Sequence, residues 1–200
     1  YKIDLSAIRG VILSSVVPPI TNAVKNALAF VTGLNVMEAT VHLKHDLKIN
    51  SDNPEELGID MVVSAVAALK EHKPPFILFD MGTATTISVI DENGAFQGCS
   101  ILPGVKISLE ALTARASQLS SISLKAPEHV VSKNTEECMQ SGIVFGNAAM
   151  MDGMIDRIEK EIGRSATVIA TGGLARAIVP YCSHKILFDD EIMLRGLWYL

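Results

Sequence analysis

The apolar run Phe76-Ile77-Leu78-Phe79 leads straight into Asp80-Met81-Gly82-Thr83-Ala84-Thr85-Thr86, and Ile87, Val89 and Ile90 follow. This reads as a buried strand, a tight hydroxyl-rich turn and a returning strand, the first corner of a hairpin. Phosphate chemistry suits such a corner. Glycine lets backbone approach an anion, amides and threonine hydroxyls bond its oxygens, and a strand-end carboxylate can hold a hydrated cation. The same Asp80 could also do no more than end a strand and cap a turn.

Around this corner the pattern is α/β. A strand is expected over Ile8 to Val16, then a helix opened by Pro18-Pro19 and running to Val31. A weaker strand lies near Asn35 to Ala39, followed by a polar stretch from His42 to Asn53. A helix from Pro54 to His72 carries Glu55 and Glu56 at its positive end, and Lys73-Pro74-Pro75 breaks it. That break divides the chain into residues 1–73 and 74–200.

In the second part Asp91-Glu92-Asn93-Gly94 closes a further hairpin, with glycine where positive φ is needed. The return strand Phe96 to Leu102 ends at Pro103-Gly104, and a helix follows with Leu109, Leu112 and Ala116 at helical spacing. Asn134 caps a long helix reaching Ile162, and a β-branched strand from Ala166 to Ala170 runs into Thr171-Gly172-Gly173. A helix, a short strand and a last helix close the order.

Composition narrows the function classes. At 200 residues with 48% hydrophobic content the chain can bury a real core. A net charge of −5, with no dense basic cluster, argues against nucleic acid as a partner. No apolar run reaches the ~18 residues of a membrane span. Three cysteines far apart (Cys99, Cys138 and Cys182) suit a reducing cytoplasm, and Cys99 and Cys138 read as small core residues.

Several segments carry a family resemblance: Ser14-Ser15-Val16-Val17-Pro18-Pro19, Asn53-Pro54-Glu55-Glu56-Leu57-Gly58-Ile59-Asp60 and Asp80 to Thr86. Pro103-Gly104-Val105-Lys106-Ile107-Ser108-Leu109-Glu110-Ala111-Leu112, Lys133-Asn134-Thr135, Gln140-Ser141-Gly142 and Ala170-Thr171-Gly172-Gly173-Leu174 continue it. In this order they resemble the type III pantothenate kinases of the actin-like, sugar-kinase and heat-shock ATPase superfamily. The resemblance implies a two-domain actin-like (ribonuclease H-like) α/β fold of mixed sheets flanked by helices. It also implies transfer of the γ-phosphoryl group of ATP to pantothenate, the first step of coenzyme A synthesis.

It assigns roles residue by residue. Asp60 is the expected base for the substrate hydroxyl, with Gly58, Ile59 and Met61 beside it on the substrate side. Asp80 is the expected metal-site carboxylate, associated with Mg²⁺-bound phosphates and a monovalent cation, K⁺ or NH₄⁺. Gly82 and Thr83 would meet a phosphate, and Gly172 and Gly173 the adenosine end of ATP. Gly104 and Thr135 match substrate-side positions, the threonine reaching the site from a partner subunit, which implies a homodimer.

Bland alternatives stand beside these roles. Asp60 could be a solvated helix face, Gly172-Gly173 a helix-entry turn and Thr135 part of a cap.

The chain also departs from the family pattern. The first phosphate loop, Asp-x-Gly-Asn-Thr on an opening hairpin, is not found. The expectation is that the natural protein has further residues and that the first domain here is incomplete. The family Arg after the catalytic carboxylate is Met61, its Tyr two residues before Asn-Pro is Ser51, its Gly before Lys-Asn-Thr is Ser132, and its Leu-Pro is Leu119-Ser120. These changes gather on the substrate side, while the phosphate turn and the adenosine-end glycines are intact. An active kinase with an altered acceptor pocket is one expectation. A nucleotide-binding regulatory relative without catalysis is the other.

Overall fold

The computed structural model describes residues 4–116 and 118–200. Two apolar strands set its centre. β4 (Phe76–Met81) and β5 (Ala84–Ile90) pair antiparallel through the Gly82-Thr83 turn, closed by the Gly82 N–H donating to the Ala84 carbonyl at 3.0 Å. β6 (Ala95–Pro103) returns along β5 through the expected turn, where Gly94 has φ 74° and the Asp91 carboxylate accepts from the Asn93 and Ala95 amides. β7 (Thr167–Thr171) lies parallel to β4 on its other side, with β8 (Leu187–Phe188) beyond it.

The sixth strand is β3 (Lys48–Ile49), parallel to β6 at the far edge, giving the order β3-β6-β5-β4-β7-β8. It lies in the polar stretch His42 to Asn53, where no strand was expected. Two residues carry no periodicity of their own, and the pairing with Ala95 and Phe96 makes them a strand. A separate two-stranded parallel sheet joins β1 (Val11–Leu13) to β2 (Val36–Glu38). β1 is shorter than the expected Ile8 to Val16.

Alternation along β4 divides the core into two layers. Phe76 and Leu78 face one cluster with α2 (Ile59–Glu71), while Ile77, Phe79 and Met81 face a second with α3 (Val105–Arg115) and α4 (Thr135–Ile162). Phe76, Ile77 and Phe79 are fully buried, each stabilising the fold by about 1.5–3 kcal/mol. This is the mixed sheet flanked by helices that the sequence implied.

Local signals end the helices where expected. α1 (Pro18–Thr32) opens on its two prolines and stops at Gly33, φ 69°. Asn134 caps α4 by accepting from the Glu137 amide at 2.9 Å, and Gly163, φ 72°, ends it. The helix expected from Pro54 is corrected: Pro54–Glu56 is a single 3-10 turn, Leu57 and Gly58 are extended, and α2 starts at Ile59. Asp60 therefore stands in the first turn of α2 rather than inside a helix.

After β7 the chain forms the four-residue α5 (Ala175–Ile178), a turn at Val179–Tyr181 and, past β8, α6 (Ile192–Tyr199). Cys99 and Cys138 are exposed rather than core residues: Cys99 shares the α2 side of the sheet with Ser88 and Leu78 but lies out on β6, and Cys138 stands in the first turn of α4. Among the described residues no helix is long and apolar enough to cross a membrane.

Candidate active site

Register in the sheet surrounds Asp80 with hydroxyls. Its Cα partners are Thr86 on β5 and Thr171 on β7, so the three side chains share one face, the face covered by α2. A water-sized gap of about 10 Å³ lies between that face and the helices, lined by Asp80, Thr86, Ser88 and Thr171 below and by Met61, Ser64 and Ile192 above. The Ser64 hydroxyl is buried there without a hydrogen-bond partner.

Burial pushes the Asp80 carboxyl above the ordinary carboxylate range, and the charge of Asp60 adds to the shift. The two carboxylates are thus electrostatic neighbours, one at the end of β4 and one at the start of α2. Asp60 Oδ1 accepts the Met61 amide at 2.9 Å, which holds the side chain against the first turn. Gly58 caps that helix beneath it. A Cβ at Gly58 would collide with Asp60 Oδ1 and lie 3.2 Å from Met61 Cε, so glycine there leaves the carboxylate its position. Ile59 is buried in the core beside these residues.

The phosphate turn opens on a different hollow. Gly82, Thr83, Lys106, Ile107, Glu110, Gly173 and Leu174 line a cavity of about 410 Å³ together with Met81. Gly172 and Gly104 build its walls from behind. Gly172 has φ 95°, and a Cβ on it would stand 2.6–2.7 Å from the Met81 backbone atoms. Gly104 caps α3, and a Cβ there would meet the Thr83 carbonyl and lie 2.6 Å from that of Gly82. Gly104 thus sets the start of α3 against the phosphate turn. Gly173 has nothing within 4 Å of its Cβ direction and faces the open cavity.

Thr135 stands apart. It lines a third hollow of about 360 Å³ with Gln118, Ser120, Ser121, Ile122, Ser123, Glu136 and Met139, away from the gap at Asp80. Within one chain the fold brings Asp60 toward Asp80 and Gly82, Thr83 and Gly173 together, and it leaves Thr135 outside both groups.

Two sets of residues gain roles that their sequence positions alone did not give. Lys106 follows Pro103-Gly104 in a first turn, and only the folding of α3 onto the turn brings its side chain to the cavity, with its ammonium 3.8 Å from the Glu110 carboxylate. Thr86, Thr171 and Ser64 meet Asp80 through strand register and helix packing. The carboxylate and hydroxyl oxygens around Asp80, with that of Ser64 buried and unsatisfied, suit a hard cation, to which the Met61 thioether beside them contributes little.

Comparison with known proteins settles the family. A family model for type III pantothenate kinases matches residues 2–157. A type III pantothenate kinase of Desulforapulum autotrophicum is 40% identical over 198 residues, covering 98% of this chain and 76% of its own length. The chain belongs to the type III pantothenate kinase family. A Listeria monocytogenes member is 40% identical over 192 residues, covering 96% of the chain and 74% of the relative.

Among solved structures, a conserved protein assigned to the Baf family of transcriptional activators, from Campylobacter jejuni, superimposes with a TM-score of 0.62 at 20% identity. It covers 97% of this chain and 83% of that one, a likeness of fold.

Proposed function

We propose that this pantothenate kinase transfers the γ-phosphoryl group of ATP to the primary hydroxyl of pantothenate, giving 4′-phosphopantothenate and ADP. The observation that carries the reading is the meeting of Asp60, at the start of α2, with the hydroxyl-ringed Asp80 beside a glycine-walled phosphate turn.

Pantothenate would lie over the start of α2, near Gly58 and Met61. Asp60 accepts the hydroxyl proton as the oxygen attacks the γ-phosphorus, and the bond to the bridging oxygen breaks to release ADP. The Thr83 hydroxyl and the exposed turn backbone donate to phosphate oxygens, and the Lys106 ammonium offsets their charge. The open face at Gly173 leaves room for the adenosine end. Most of the acceleration comes from holding the two reactants in line, since phosphoryl transfer needs little covalent help from the protein.

Asp80, Thr86 and Thr171 would hold a cation, Mg²⁺ with the phosphates and K⁺ or NH₄⁺ beside them. Bound there, a cation neutralises charge on the phosphates. The separation of Thr135 from Asp60 supports a homodimer in which the threonine serves the partner's site. We infer that the functional lobes divide at residue 73, into 1–73 and 74–200, with β3 reaching across to β6. A cytoplasmic setting fits the three unpaired cysteines.

The test is Asp60→Asn. Its pantothenate-dependent turnover should vanish while ATP affinity stays within about twofold, because Asp60 touches the acceptor side only. A large loss of ATP affinity in that variant would contradict the role.

A further inference from the structure

α2 carries Asp60 at one end, and a dense set of contacts holds the other. At that far end Arg195 of α6 grips Glu71, with Nε to Oε1 at 2.7 Å and Nη2 to Oε2 at 2.9 Å. The same guanidinium bonds Asp189, in the segment entering α6, and the Tyr199 hydroxyl donates to Glu71 at 3.1 Å. Arg195 keeps Glu71 well ionised, its carboxyl held below the usual range chiefly by this bond. Arg195 and both carboxylates are partly shielded, with 34%, 23% and 19% of their side-chain surfaces exposed.

A second contact lies between the two ends. Gly196 of α6 sits so close to Val63 that a Cβ would collide with the Val63 carbonyl oxygen and lie 2.7 Å from Cγ1. The buried face of α2 mixes Val62, Val63 and Val66 with the small residues Ser64, Ala65, Ala67 and Ala68. Its small residues let α6 approach closely, as Gly196 does at Val63, so the tilt of the helix follows its contacts with α6 there and at Glu71.

We propose that α6 is a clamp on α2 and that Arg195 is a positioning residue for the kinase reaction, acting through Glu71 to set where Asp60 stands. The inference rests on the reaction proposed above. Geometry gives its size. With Val63 as pivot, Glu71 lies about 12 Å away along the helix and Asp60 about 4.5 Å away on the other side. Release of the Glu71 end by about 2 Å therefore moves Asp60 by about 0.8 Å. A displacement near 1 Å at a reacting group costs up to about a hundredfold in rate.

The experiment compares Arg195→Met, Arg195→Lys and, as a control on another surface ion pair, Arg164→Met, which removes the Glu92 contact. In Arg195→Met, kcat should fall by about tenfold or more with the KM for ATP within about twofold, because the nucleotide cavity is built on other helices. Arg195→Lys keeps one charged contact and should fall between Arg195→Met and wild type, and Arg164→Met should match wild type. A kcat for Arg195→Met within twofold of wild type overturns the clamp, even if its melting temperature drops. Should Arg195→Met not fold, Arg195→Lys decides by the same criterion: a kcat equal to wild type overturns the proposal.

Hydrogen exchange over residues 58–67 separates this inference from the reaction itself. If wild type phosphorylates no pantothenate, the proposed reaction fails. Faster exchange in that peptide for the Arg195 variants still supports the clamp, and unchanged exchange overturns it.

Discussion

Gly172→Ala puts the construction of the nucleotide cavity to a quantitative test. Gly172 has φ 95°, a region that costs an L-residue about 1–2 kcal/mol. The added Cβ would lie 2.6 Å from the Met81 carbonyl carbon and oxygen and 2.7 Å from its nitrogen. That is about 0.8 Å inside ordinary van der Waals contact, and the neighbours are backbone atoms of a central strand that cannot swing aside. Overpacking of this kind adds about 1–3 kcal/mol. Together the two terms destabilise the protein by about 2–5 kcal/mol, and at about 3 °C per kcal/mol for this size the melting temperature should drop by about 6–15 °C.

Met81 directly precedes the Gly82-Thr83 turn, so relaxation of the clash also separates Thr83 from Gly173 and weakens ATP binding. Gly173→Ala is the internal contrast. Its Cβ meets nothing within 4 Å, so the melting temperature should change by less than about 2 °C while ATP affinity falls. Thermal denaturation with isothermal titration of ATP reads both. A Gly172→Ala protein that melts within 2 °C of wild type would refute the close approach of Gly172 to the Met81 backbone.

Three further outcomes follow from the site. Asp80 binds its proton more tightly folded than unfolded, so its contribution to stability is fullest below the unfolded pKa of about 3.9 and is lost as pH rises through the raised folded value. At neutral pH, with chelator present, Asp80→Asn should therefore melt higher than wild type, with the gain shrinking toward pH 4; identical melting curves across that range would contradict the burial of its charge. Lys106→Met should weaken ATP binding by about tenfold with little change in melting temperature, since its side chain is exposed and lines the phosphate cavity; unchanged affinity would remove it from the site. If Thr135 serves the partner's site, Asp60→Asn and Thr135→Ala proteins, each inactive, should recover about a quarter of wild-type activity on mixing. Random exchange makes half the dimers mixed, each with one intact site of two; no recovery would argue for self-contained subunits.

What the sequence disclosed was local. The prolines opening α1, the Asn134 cap, the glycine turn at Gly94 and the hairpin through Gly82 each act over a few residues, and each folds as read. β3 was hidden because two residues have no period, and only pairing with β6 defines them. The start of α2 shifted because Leu57 and Gly58 stay extended between Pro54 and Ile59.

The site divides the same way. Asp60, Asp80, Thr83 and the glycines were legible as motif positions, whereas Thr86, Thr171 and Ser64 join Asp80 only through strand register and helix packing. Lys106 reaches the cavity because Gly104 lets α3 start against the turn. Cys99 and Cys138 show the limit of composition, since a small residue type says little about which face it takes.

The most direct measurement is ADP release by the full-length protein with Mg²⁺·ATP and K⁺ or NH₄⁺, with and without pantothenate, alongside mass spectrometry of the acceptor. Turnover that depends on pantothenate, with a product heavier by one phosphoryl group, is the expected result. ATP binding with no pantothenate-dependent turnover would contradict it and leave a nucleotide-binding relative without kinase activity.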